Sequence, residues 1–189
     1  MDRRISKTRK LIKDALFTVS SQKGIDAVTV QDIIDEANIN RATFYYHYKD
    51  KLDLIESILH EMLEGLGQEI LMPNEVNSFS DIVYPPILAV FEHVKKHRDI
   101  YKIVLSEKGL PDFPAKMVKE LKESLGDNIT LLQNNKIEIT VNKELLTNYI
   151  SAALVSLIVE WVKNDLSNNP SDMANQITHV LTSGGYKEK

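Results

Sequence analysis

The run Arg41-Ala42-Thr43-Phe44-Tyr45-Tyr46-His47-Tyr48 concentrates side chains suited to nucleic acid. Arginine offers two parallel hydrogen bonds to guanine, and Ala42 or the Thr43 methyl can rest against a thymine methyl. Tyr45 and His47 can donate to phosphate oxygens or base edges. On a helix turning about 100° per residue, Phe44 points inward with Tyr48 near it. Arg41, Ala42, Thr43, Tyr45 and His47 then look outward, and Lys49 and Lys51 add positive charge just beyond. The competing reading is a plain three-helix core with its tyrosines packed between helices. Four aromatic rings in the five positions 44–48 weigh against that reading, because a purely structural helix seldom exposes so many.

Other chemistries find little support. The chain has no cysteine, which removes disulfides, thiol nucleophiles and cysteine-bound zinc. It carries no nucleophile elbow, phosphate-binding loop or dinucleotide fingerprint, so neither catalysis nor a cofactor is expected. His93 and His97 lie four apart on one helical face, a spacing that can bind a metal. The glutamate of a catalytic zinc motif is missing there and Lys95 and Lys96 repel a cation, so no metal site is expected.

The elements that position these residues are helices, and the fold class is all-α. A first helix over about Thr8–Gln22 places Leu11, Ile12, Ala15, Leu16 and Val19 on one face, with Gly24 as its C-cap. Thr29 is a good N-cap for the next, and Asp32 stands where a capping-box carboxylate belongs. Asn38-Ile39-Asn40 makes a tight turn into a short helix over Arg41–Tyr46, and a long helix follows over Lys51–Leu71, closed by Pro73. Further helices are expected over Ser80–Lys96, with Pro85-Pro86 as a kink or a late start, and over Ile100–Glu107, Pro114–Gln133, Lys143–Asn164 and Ser171–Thr182. Asn134–Lys136 reads as a loop. Ile137–Val141 alternates like a strand but has nothing to pair with, and reads as an extended linker. Three helices within about fifty residues, the second and third joined by a three-residue turn, form a helix-turn-helix. This predicts a DNA-binding domain over 1–50 and a larger effector-binding and dimerisation domain over 51–189.

The stretch Val28–Lys51 resembles the head of the TetR family of bacterial transcription regulators. That family shows a Thr opening the second helix, a turn, a Thr-Phe-Tyr core and a Tyr-Phe-Lys-x-Lys exit. Here these read Thr29, Thr43-Phe44-Tyr45 and His47-Tyr48-Lys49-Asp50-Lys51. Asn38 replaces a common turn glycine, and Asn tolerates left-handed φ better than other non-glycine residues. The resemblance implies that Thr29, Gln31, Arg41, Thr43, Tyr45, His47 and Lys51 face DNA, with Thr29 and Lys51 on phosphates and the third helix on bases. Arg3, Arg4, Lys7, Arg9 and Lys10 form a basic arm that either reaches DNA or is a solvated terminus.

The body carries the expectations about partners. The helix near 143–164 is apolar almost all round and needs cover on every face, for which a second subunit is the natural source. The resemblance implies a four-helix homodimer interface made with the helix near 171–182. Phe91, Tyr101, Phe113, Met117, Tyr149 and Trp161 are expected to line a small-molecule effector pocket, with His93, His97 and Arg98 for polar contacts. The double-stranded DNA operator is expected to be palindromic and the protein a repressor. An activator of the same fold, or one answering to a protein partner, is the alternative. Residues 1–51 carry a net charge of +3 and the remainder −7, which suits a head presented to a polyanion. The N-terminus leads into no apolar segment, and Ala152–Val162, broken by Ser156 and Glu160, is shorter than the roughly 20 residues of a bilayer span. A cytoplasmic protein without membrane contact is expected.

Overall fold

The computed structural model describes residues 3–70, 79–133 and 141–183. The expectations placed on Leu71, Pro73, Asn134–Lys136 and Ile137–Thr140 lie outside the described residues. Among the described residues there is no strand. The helices are α1 (Arg3–Lys23), α2 (Val30–Ala37), α3 (Arg41–His47), α4 (Lys51–Glu69), α5 (Phe79–Lys96), α6 (Arg98–Val104), α7 (Phe113–Gln133), α8 (Lys143–Lys163) and α9 (Pro170–Ser183).

The chain forms two compact units, 1–62 with 99–111 and 63–98 with 112–189. In the first, α1 packs on α2 and α2 on α3. Ile12, Ala15, Leu16, Val19 and Ser20 form the buried face of α1, the spacing of an amphipathic helix. α1 begins five residues before the expected Thr8. Arg3, Arg4 and Lys7 are good helix formers that carry no apolar periodicity to announce them. Gly24 ends α1 at φ +83°, its N–H donating to the Ser20 carbonyl at 2.9 Å. A Cβ there would sit 2.9 Å from Lys108 Cβ, so both the backbone conformation and the close approach call for glycine.

In the second unit α5 packs on α9 and α7 on α8. α5 begins at Phe79 and runs through Pro85 and Pro86, so the prolines do not delay its start. α8 turns Thr147, Ser151, Leu154, Val155, Ile158, Trp161 and Val162 inward. The Trp161 ring meets Phe91 edge-on at 5.2 Å, and its indole N–H donates to the Asn168 carbonyl at 3.2 Å. α8 as a whole is long and apolar enough to cross a membrane, although the run Ala152–Val162 within it is not. Its buried stripe nevertheless marks it as the core helix of a globular body.

Candidate nucleic-acid interface

The head is assembled by caps. Thr29 is the N-cap of α2: its hydroxyl accepts from Asp32 N–H at 3.2 Å, while Asp32 Oδ2 accepts from Thr29 N–H at 2.7 Å. Lys23 Nζ donates to the same carboxylate oxygen at 2.6 Å. The Lys23 ammonium, and after it the Thr29 hydroxyl and N–H, hold the Asp32 carboxyl well below the usual carboxylate range. Asn38 ends α2 at φ 50°, ψ 50°, the left-handed conformation expected of it. Asn40 then opens α3, its Oδ1 accepting from Thr43 N–H at 2.7 Å. The turn between α2 and α3 is thus determined at one end by the left-handed backbone of Asn38 and at the other by the Asn40 side chain.

α3 is anchored by Phe44, fully buried, and by Tyr48, 3% exposed. Burial pushes the Tyr48 phenol up from its ordinary value. Arg41, Ala42, Tyr45 and Tyr46 are exposed, and Thr43 and His47 half-buried. The Arg41 guanidinium lies 5.7 Å from the Tyr45 ring centroid, a cation–π contact that orients it along the outer face. Burial first, and then the Arg9 charge, lowers the His47 imidazole below its ordinary 6.5.

The sequence-predicted donors separate into two groups. Among the described residues the Tyr45 hydroxyl and the Lys49 ammonium make no hydrogen bond, and Arg41 and His47 make ring contacts alone. Thr29, Gln31, Thr43 and Lys51 are already engaged. The Thr29 hydroxyl donates to Asp32 and Gln31 Nε2 to Asp35 at 2.8 Å, while the Thr43 hydroxyl donates to Asn40 Oδ1 at 2.9 Å. Lys51 Nζ reaches the carbonyls of Ile25 and Asp26 at 3.1 and 2.9 Å, tying the start of α4 to the loop after α1. Tyr46, 74% exposed and so the most open of the large rings on α3, was not among the predicted residues. Its place two residues after Phe44, on the far side of the helical wheel, was the available signal.

Five of the six expected effector residues are buried and one is exposed. Phe91, Phe113, Met117 and Trp161 are buried in the second unit, whereas the buried Tyr101 belongs to the first. Tyr149 is 62% exposed, in a groove of 260 Å³ between α8 and α9 with Ile150, Ala153, Leu157, Ile177 and Val180. His93 is buried with Nδ1 3.1 Å from Glu69 Oε2, and Lys96 Nζ donates to the other oxygen of Glu69 at 2.8 Å. The His97 ring centroid is 4.6 Å from that of His93, and Arg98 lies 3.7 Å from Asp165.

Residues 12–58 match the family model for bacterial regulatory proteins of the tetR family. Residues 82–183, more than half of the chain, match that for the transcriptional regulator C-terminal region. The chain belongs to the TetR family. It is 25% identical over 188 residues to YxbF, an uncharacterised HTH-type transcriptional regulator of Bacillus subtilis. That match covers 99% of this chain but 48% of YxbF, so the chain spans about half the length of this relative. It is 28% identical over 151 residues to IcaR of Staphylococcus aureus, the negative regulator of the biofilm operon icaADBC, covering 78% of this chain and 80% of IcaR. Bacillus subtilis FadR, solved in complex with stearoyl-CoA, shares the fold with a TM-score of 0.68 at 19% identity, over 94% of this chain and 99% of that one. In this member of the TetR family, α2 and α3 form the helix-turn-helix.

Proposed function

We propose that the protein is a cytoplasmic repressor that binds a palindromic operator as a homodimer and is released by a small molecule held in the body. The observation that carries the reading is α3 itself. Phe44 and Tyr48 lock one face into the core, and the opposite face presents Arg41, Ala42 and Tyr45. A helix of this kind enters the major groove, where Arg41 donates to guanine and Ala42 or Thr43 meets a thymine methyl. Tyr45, His47, Lys49 and the third hydrogen of the Lys51 ammonium take phosphates, as do Thr29 and Gln31 once their internal partners are exchanged.

One head reads a short half-site, and a two-fold dimer joins two half-sites about 34–36 Å apart. The α8–α9 groove supplies the interface. Tyr149, Leu157 and Val180 are 62, 40 and 53% exposed around it, a contiguous apolar strip of the kind that marks association. Phe91, Phe113, Met117 and Trp161 are the walls against which the effector binds. Regulators of this fold and family support the choice: IcaR is a negative regulator and FadR was solved with an acyl-CoA. The chain links the two units through α4, which begins in one and ends in the other, so an effector that favours one body conformation biases the head. The mass of the complex on a selected duplex tests this reading. Two protomers per operator are expected, and a single protomer bound at full affinity would contradict it.

A further inference from the structure

We propose that the imidazole pair His93 and His97 is a proton-operated latch between α5 and the last turns of α4, closed through Glu69 while the pair is neutral and opened when it takes up a proton. The latch itself rests on the geometry of the body. Its effect on the operator rests on the reading of the head as the DNA-binding element.

His93 is 1% exposed and His97 half-buried, one helical turn apart on α5 with their ring centroids 4.6 Å from each other. Their partner on α4 is Glu69, whose two oxygens are divided. Oε2 lies 3.1 Å from His93 Nδ1, and Oε1 accepts from Lys96 Nζ at 2.8 Å. Hydrogen bonds from Lys96 and then His93, working against burial, hold the Glu69 carboxyl below its ordinary value. It is therefore an acceptor-only carboxylate at neutral pH, and Nδ1 is the donor of the neutral His93 ring. The α4 backbone lies on that ring: a Cβ on Gly65 would stand 3.5 Å from His93 Cε1, in van der Waals contact.

A proton added to this pair finds a single carboxylate, already held by Lys96. Burial first, and then the neighbouring His97, keep His93 below its ordinary 6.5 despite the pull of Glu69, and burial and then the Lys96 charge do the same for His97. Of the other charged groups on the helices of this unit, Glu64 on α4, Glu92 and Lys95 on α5, Glu160 on α8 and Asp172 and His179 on α9 are exposed, where water and salt screen them. Glu120 of α7 stands half-buried against Gly67 of α4. An imidazole released to water titrates near its ordinary value, so falling pH favours the arrangement in which the pair has left the seam. With α4 lying on the ring, His93 reaches water only when the last turns of α4 separate from α5. α4 begins at Lys51 in the other unit, so opening loosens the element through which the body biases the head, and operator binding weakens.

Hydrogen exchange of the full chain without DNA, read as protection factors at about pH 7.5 and about pH 5.5, tests the latch in wild type, His93→Gln and His97→Gln. Glutamine can still donate to Glu69 and has no titrating ring. In wild type the amides of residues 63–69 should lose about tenfold in protection at the lower pH, the linkage of one pKa unit, while those of 154–162 in α8 hold theirs. His97→Gln should lose less, and His93→Gln less than about twofold. Equal loss in wild type and His93→Gln, or none in wild type, would overturn the proposal. If glutamine destabilises the body, the wild-type histidine Cε1–H resonances decide: His93 titrating at its ordinary 6.5 would overturn it. On a duplex selected by the wild-type protein from a randomised pool, affinity should fall about fivefold further between the two pH values in wild type than in His93→Gln. The same pH dependence in both would overturn the coupling to the head. A wild-type protein that selects no duplex would instead remove the DNA reading, while exchange at α4 still decides the latch.

Discussion

On the proposed reading, Lys51 serves structure and recognition together. Two of its three ammonium hydrogens hold the carbonyls of Ile25 and Asp26, which leaves one for a phosphate. Lys51→Ala is therefore expected to lower stability by about 1–2 kcal/mol in addition to weakening DNA binding. Tyr45→Ala, whose hydroxyl has no internal partner, should weaken binding about tenfold at unchanged melting temperature. Denaturant titration beside binding separates the two, and equal stability of the two variants would contradict the division of roles. Thr29 resembles Lys51 in this respect, since it caps α2. Thr29→Ala should cost about 1 kcal/mol of stability, and a neutral change would mean that α2 does not depend on its cap. The capping half of Thr29's duty was legible in the sequence, whereas the structural half of Lys51's was not. A donor's type and helical angle can be read from its position, but its internal partner comes from another segment, as with Lys51 and the Ile25–Asp26 loop.

The helices were most legible where local chemistry marks their ends. Thr29 with Asp32 and Asn38 at the α2–α3 turn were read from residue type alone, because capping and left-handed φ are properties of a few adjacent residues. The start of α1 was missed by five residues, since charged helix formers leave no periodic trace. α5 continues through Pro85-Pro86, a case of tertiary packing overriding a local breaker. Tyr149 was expected beside Phe91 and Trp161. The α8 pattern is apolar on nearly every side, so periodicity alone could not say which side faces inward. Ser151, Leu154 and Ile158 take the inner face, leaving Tyr149 and Leu157 outside. Introducing charge on that outer strip, as in Leu157→Glu, should dissociate the proposed dimer at micromolar concentration while the protomer stays folded. Sedimentation velocity reads this directly, and a variant that still sediments as a dimer would place the interface elsewhere.

For the whole molecule on the acid side of neutrality, the groups whose titration is shifted act in one direction, while the raised Tyr48 phenol acts only at alkaline pH. His47, His93 and His97 all lie below the ordinary 6.5, each chiefly because burial disfavours the charged ring. The unfolded chain takes up these protons first, so stability is lost as pH falls through about 6.5 and below. Asp32 and Glu69 are depressed by Lys23 and Lys96 respectively, and the stability they contribute is present above the ordinary carboxylate range and lost beneath it. Melting temperature should therefore fall steadily from about pH 8 to about pH 5, with a shallower slope in His93→Gln. A flat profile would mean that the three imidazoles titrate normally in the folded state. Asp99–Pro111 groups with the head, a long-range association that no local pattern announces.

Sequence-specific DNA binding by the head is the central claim. The most direct test titrates the purified protein against the intergenic DNA upstream of its own gene, with random duplex as competitor and salt as the variable. A saturable complex is expected that random DNA does not displace at equal concentration and that weakens steeply with salt, since several phosphates are neutralised at once. Binding to the upstream fragment no tighter than to random duplex, for the wild-type protein and for a pool of randomised sequences alike, would contradict it.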